Sequence, residues 1–213
     1  MPKDTFFNLS EEKQESVMRA AIAEFSNHGF EKANIGIIAK NASVAKGSMY
    51  QYFENKNELF LFSVQWSIKL LVLKYGKDIT DETKEINIFD YMLENARNMW
   101  IQMREEREVV IFIQDVFLGK YSKLSDESMD YMLKASEELL MKQMAAGKRM
   151  GYIRKDIDDE ILCLYMTGVS YKIKEHIMRK AREAGGDITE DAYETVEKDI
   201  RAMVELMKNG LKA

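Results

Sequence analysis

The residues best placed to do chemistry lie close together in 44–59, VAKGSMYQYFENKNEL. A short helix over this stretch exposes Lys46, Gly47, Tyr50 and Gln51 on one side and buries Val44, Met49 and Phe53 on the other. Lysine offers a charge to a phosphate or to guanine, and glycine lets a backbone approach another surface closely. Tyrosine donates to a phosphate, and glutamine reads a base edge or braces a phosphate. Together they suit the groove and phosphates of duplex DNA. They also suit the solvated face of an ordinary helical hairpin, and these residues alone leave the two readings balanced.

The elements that must position this face are readable on both sides. Ser10 is a good N-cap, with Glu11 and Glu12 at the positive end of the helix dipole. Val17, Met18, Ala21, Ile22 and Phe25 then repeat at helical spacing, and Gly29 stands at the expected C′ position. Asn34 caps a second short helix through Ile38 and Ala39, Asn41-Ala42-Ser43 makes a turn, and a recognition-type helix runs from about Ala45 to Tyr52. Asn55, with Glu58 three residues on, caps a long helix from Lys56 to Tyr75, which Gly76 stops. Its 20 residues span roughly 30 Å, enough to join a small head to a separate body.

Residues 77–87 are polar and charged and read as a linker. Further helices are expected at 88–104, 107–118, 125–149, 157–183 and 189–211. The run VVIFIQDVFL (109–118) is rich in β-branched residues, yet a lone strand has no partner, so helix is expected there too. The fold class is therefore all-α, with about nine helices in total. A three-helix head occupies 1–55, its helix-turn-helix at about 34–53, and a larger helical body follows in 56–213.

Composition sets bounds on function. The net charge of −5 over 213 residues argues against a coat-like nucleic-acid binder. From Lys32 to Lys56, however, Lys32, Lys40, Lys46 and Lys56 stand against Glu54, so a local basic patch is expected. Hydrophobic residues at 46% supply a core, and Pro2, the only proline, leaves long helices unbroken. Cys163 is the only cysteine, so no intrachain disulfide forms, which fits a reducing cytoplasm. The N-terminal residues lack the apolar core of a signal peptide, and the uncharged run 59–68 is too short to span a bilayer, so a soluble cytoplasmic protein is expected.

The segment GFEKANIGIIAKNASVAKGSMYQYFENKNELF resembles the DNA-binding head of the TetR family of bacterial transcriptional repressors. The resemblance rests on Gly29, Phe30, Ile38, Ala39, Ala42, Val44, Gly47, Ser48, Tyr50, Tyr52, Phe53, Lys56 and Leu59, in order and without a gap. It implies DNA contacts from Asn34, Gly36, Ala45, Lys46, Gly47, Ser48, Tyr50, Gln51, Tyr52 and Lys56. Three positions depart from the family pattern. Asn34 replaces a threonine, and both cap helices. Ser43 replaces the turn glycine, at a cost of roughly 1 kcal/mol if φ there is positive. Ala45 replaces the serine that caps the recognition helix, a loss of about 1 kcal/mol and of a phosphate contact.

For the body, the resemblance implies a small molecule bound among the helices, shifting the two heads of a dimer and releasing DNA. Candidate pocket residues are Trp66, Trp100, Met103, Phe112, Phe117, Tyr121, Met132, Tyr165 and Met166, each of which also suits a plain core. Asp115, seven residues from Glu108, is read as part of a solvated face, and Cys163 as an inert buried thiol. His28 and His176 are isolated, so no metal, cofactor or catalytic residue is expected.

Tyr193, Val196, Ile200, Met203 and Met207 follow the seam spacing of a packed helix pair, and Ile161, Tyr165, Val169 and Ile173 form a stripe in the preceding helix. They suit a four-helix dimer interface, with packing on the chain's own core as the competitor. One short recognition helix reads too few bases, so two half-sites and a homodimer are expected. The reading is a ligand-responsive repressor on a near-palindromic operator, released by a small hydrophobic effector. The alternative is a DNA-binding regulator controlled by a protein partner. An enzyme is poorly supplied, with no nucleophile–base pair, paired-carboxylate motif or Gly-rich phosphate loop.

Overall fold

The structure, a computed structural model, describes residues 1–75, 87–189 and 193–211. The described residues are all-α, without a strand. The expected linker and Gly76 lie outside them, apart from Asn87 at the start of the next helix.

Chain entry into the head is by a short helix that periodicity did not signal, α1 (Asp4–Phe7), built around the wholly buried Phe6. Next comes α2 (Glu11–Lys32), where Ser10 Oγ accepts from Lys13 N at 3.3 Å. Gly29, at φ 71°, breaks its last turn, as the C′ position requires. In α3 (Ile35–Asn41) the Asn34 side chain accepts from Gly36 N at 2.8 Å. It is followed by α4 (Lys46–Tyr52) and α5 (Lys56–Tyr75). Asn55 Oδ1 accepts from Glu58 N at 2.9 Å, and the Glu58 carboxylate reaches back to Glu54 N at 2.7 Å.

The remaining helices are α6 (Ile88–Met103), α7 (Arg107–Phe117) after a 3₁₀ turn at Arg104–Glu106, α8 (Lys123–Arg149), α9 (Asp159–Glu183) and α10 (Tyr193–Leu211). None is long and apolar enough to cross a membrane, among the described residues.

The chain forms two compact units. The first comprises 1–71 and 106–131, so it extends past the helix-turn-helix and takes in α7. Its centre is aromatic: Phe60 lies 5.1 Å from Phe25, 5.4 Å from Phe112 and 4.8 Å from Tyr121, ring centre to ring centre. The Tyr121 hydroxyl donates to Phe25 O at 3.3 Å. Polar bonds tie α2 to the same segment. Arg19 forms a two-pronged pair with the buried Glu106 at 2.8 and 3.2 Å, and its guanidinium lies 5.8 Å from the Trp66 ring centre. The Glu106 carboxylate raises the pKa of that guanidinium further above its usual value.

Asp115 is a correction. It is buried rather than solvated, and Lys120 pairs with it. The seven-residue relation to Glu108 misled because α7 is buried on all but one position from Val109 to Phe117, leaving no solvated face there.

The second unit comprises 72–105 and 132–213. Its core gathers Ile88, Phe89, Leu140, Met144, Ile153, Leu162, Met166, Val204 and Met207. Gly147 permits the tight connection after α8, since a Cβ there would stand 2.7 Å from Ile153 Cδ1. Asp158 caps α9 by accepting from Glu160 N at 2.8 Å. Cys163 is a buried free thiol, and His176 is exposed near Asp199 at 3.7 Å.

Candidate nucleic-acid interface

The sequence of α4 divides its two faces. Met49 and Tyr52 turn inward, while Lys46, Gly47, Tyr50 and Gln51 are exposed. Tyr50 is 52% exposed, large for an aromatic ring that the core does not use. Gly47 is informative because its own fold does not require it. A Cβ there would meet nothing within 4 Å, yet glycine inside a helix costs about 1 kcal/mol relative to alanine. A glycine there leaves room for another surface to approach the backbone closely. Gly36, at the start of α3, lies against Lys46, with 3.6 Å from its notional Cβ to Lys46 Cδ. The N-termini of α3 and α4 therefore present backbone N–H groups beside the Lys46 stem, an arrangement suited to an anionic backbone.

The turn between α3 and α4 carries the strain anticipated from its residues. Ser43 has φ 52°, the left-handed region that favours glycine. Lys13 braces it from α2, its ammonium donating to Ala42 O at 3.1 Å and to Ser43 O at 2.9 Å. Ala45 supplies no side-chain cap to α4. On the other side of α3, the buried Glu24 accepts from Asn34 N at 3.0 Å and fixes the cap of that helix. Neither Lys13 nor Glu24 was singled out from the sequence. Glu24 left a trace, a carboxylate seven residues after Val17 on an otherwise apolar stripe. Lys13 left none, since its target is a turn some 30 residues away.

Residues 17–61 match the family described as bacterial regulatory proteins, tetR family. A 60-residue stretch is 40% identical to a probable acrEF/envCD operon repressor of Escherichia coli (strain K12), covering 28% of this chain and 27% of that protein. Residues 17–61 thus carry the DNA-binding head of the TetR family. The chain is also 25% identical over 154 residues to the HTH-type transcriptional regulator YhgD of Bacillus subtilis (strain 168), covering 72% of this chain and 71% of that protein. Among solved structures, the transcriptional regulator FadR from Bacillus subtilis, in complex with stearoyl-CoA, shares the fold with a TM-score of 0.67. It is 16% identical, covering 92% of this chain and 98% of that one. With a TetR-family head and relatives that are transcriptional regulators, the chain is a DNA-binding transcriptional regulator.

Within the TetR-family head, most of the expected contact residues stand where an outside partner can reach them. Asn34, Ala45, Lys46, Gly47, Tyr50 and Gln51 are exposed, and Gly36 and Ser48 half-buried. Two others differ. Tyr52 is buried, its ring 6.1 Å from that of Phe6, so it serves the core of the head. The Lys56 ammonium lies 4.6 Å from the Phe30 ring centre and donates to Glu31 O at 3.0 Å and Ala33 O at 3.4 Å. It closes the α2–α3 turn, and its helix start puts it beside Tyr50 along a shallow depression that both line.

The expected pocket residues are divided between the two units. Trp66, Phe112, Phe117 and Tyr121 belong to the first unit, where Phe112 and Tyr121 are committed to the aromatic core around Phe60. Trp100, Met103, Met132, Tyr165 and Met166 belong to the second. There Met166 is wholly buried, Trp100 lies 6.4 Å from Tyr193, and Tyr165 is 43% exposed.

The expected dimer stripes also divide. On α10, Tyr193, Val196 and Met207 are buried, with Ile200 and Met203 half-buried, and α10 packs on α6 within the same unit. That stripe packs against α6, with Met207 in one core with Ile88 and Phe89. On α9, Val169 and Ile173 are half-buried, whereas Ile161 stays 56% exposed next to Tyr165. Leu164 and Leu206, not singled out beforehand, are 69% and 65% exposed.

Proposed function

We infer that the chain is a homodimeric repressor whose α4 enters the major groove of a near-palindromic operator and which a small hydrophobic effector releases. The observation that carries the DNA half is the outward face of α4, where a lysine, an unneeded glycine, a half-exposed tyrosine and a glutamine stand together. Lys46 would meet a phosphate or guanine, Tyr50 a phosphate, and Gln51 a base edge, with Asn34, Gly36, Ala45, Gly47 and Ser48 bringing backbone close to the strand. Lys56 would join them by exchanging one carbonyl for a phosphate. The protein would work in the cytoplasm, where its operator is.

Dimerisation is supported by the apolar face that α9 leaves open, Ile161, Leu164 and Tyr165, together with Leu206 of α10. Large apolar residues left contiguous on a helix mark an association surface. Effector release is supported by the likeness to the Bacillus subtilis regulator solved with stearoyl-CoA, which makes long-chain acyl-CoA the first class to test.

The test uses the full chain and a duplex it selects from a random pool. Lys46→Ala and Tyr50→Phe should each weaken binding about tenfold or more with folding unchanged, and Lys46→Ala should lower the salt slope by about one unit per half-site. Stearoyl-CoA should raise the thermal midpoint and displace the duplex. Unchanged binding in both variants would sink the α4 assignment. Displacement by no acyl-CoA would sink the effector class.

A further inference from the structure

The reading helix is poorly equipped to stand by itself. With seven residues it is too short to persist alone, it starts without a side-chain cap, and it carries Gly47 inside. Its other end is different. The last carbonyls of any helix lack intrahelical partners, and in α4 three consecutive ones are taken by the segment that precedes α2. Lys3 Nζ donates to Tyr50 O at 3.1 Å, Thr5 Oγ1 donates to Gln51 O, and Lys3 N donates to Tyr52 O at 2.9 Å. The Lys3 ammonium also stands at the negative end of the helix dipole. Phe6 fastens the segment, its ring 5.1 Å from Phe53 and 5.5 Å from Phe62, with no surface left exposed.

This segment lies before the 17–61 match to the family model. We propose that Lys3, Thr5 and Phe6 form a positioning element for the recognition helix, a remote C-terminal cap that fixes the pitch at which Lys46, Tyr50 and Gln51 meet DNA. The proposal rests on the reading of α4 as the DNA-binding helix. Thr5 acts through the Gln51 carbonyl, and the Gln51 side chain on the next bonds is what faces the groove. A carbonyl left without its donor lets the final turn fray and the side chains of Tyr50 and Gln51 spread over several orientations.

Thr5 is the position to test, because it is exposed and uncharged. Thr5→Val keeps the shape and removes the donor, and Thr5→Ser keeps the donor. Wild-type protein first selects a duplex from a random pool, and binding to it is measured by fluorescence anisotropy over a range of salt. Thr5→Val should bind about tenfold more weakly, with an unchanged salt slope and the protein still fully folded at the assay temperature, and Thr5→Ser should bind as the wild type does. Wild-type affinity in Thr5→Val would overturn the proposal. So would a weaker affinity with a smaller salt slope, which would place the segment on the DNA itself, or one explained by protein unfolded at the assay temperature. A wild-type protein that selects no duplex would overturn the DNA-binding reading, and this one with it.

Discussion

The two units of this chain are held together in different ways. In the first, individually placed polar bonds fix each short element. Glu24 holds the cap of α3, Lys13 the turn after it, Lys56 the turn before it, and Arg19 the buried Glu106. In the second, long amphipathic helices share an aliphatic and methionine core, and much of its polar detail is between surface residues on one helix, as in Arg201 with Glu197 and Arg179 with Glu175. Surface pairs of that kind contribute little. Helices of seven residues cannot supply enough apolar area to fix their own angles, so the first unit must use directional bonds. Helices of 16–27 residues can rely on area alone.

That contrast can be broken first at its aromatic centre. Phe60→Ala should remove about 3–5 kcal/mol of stability, as read from urea unfolding. It should abolish selective DNA binding as well, since Phe25 of α2 and Phe112 of α7 both lean on that ring. A loss near 1 kcal/mol would mean that the polar bonds, and not the aromatic cluster, integrate the unit. Next in size, Leu164→Asp should convert dimer to monomer in sedimentation velocity while leaving the fold intact, because the residue is exposed. A dimer that survives would place the association surface elsewhere than on α9.

The smallest effects lie in the turn. Ala45→Ser should restore a cap worth about 1 kcal/mol. Ser43→Gly should relieve up to about 1 kcal/mol, since the position sits at φ 52°. Either change should raise the thermal midpoint. Failure of Ser43→Gly to do so would show that the Lys13 bonds already offset the strain.

The same contrast explains what could be read from the sequence. Caps such as Ser10, Asn34 and Asn55 act on the next few residues, so the starts of α2, α3 and α5 were legible. The α4 face was legible because Gly47 and Tyr50 are odd choices for a helix surface. Bonds spanning 29 or 30 residues, as from Lys13, or 87, as from Arg19, leave no local pattern. Periodicity identified the α10 stripe correctly as buried but could not name its partner. A seam of Tyr193, Val196 and Met207 looks the same whether a second chain or α6 covers it. Phe112 and Tyr121 suited both a pocket wall and a core for a related reason, because an aromatic residue looks alike in either, and here they pack around Phe60.

The aromatic cluster has a consequence for how the protein is made. Phe60 leaves the ribosome 61 residues ahead of Tyr121. At about 5–20 residues per second, that is a wait of about 3–12 s. Throughout it, a nascent head with its DNA-reading motif already synthesised holds an open aromatic face that only later sequence can close. A premature stop anywhere between those two residues therefore leaves a sticky fragment for chaperones and proteases, and not a small functional DNA-binding domain.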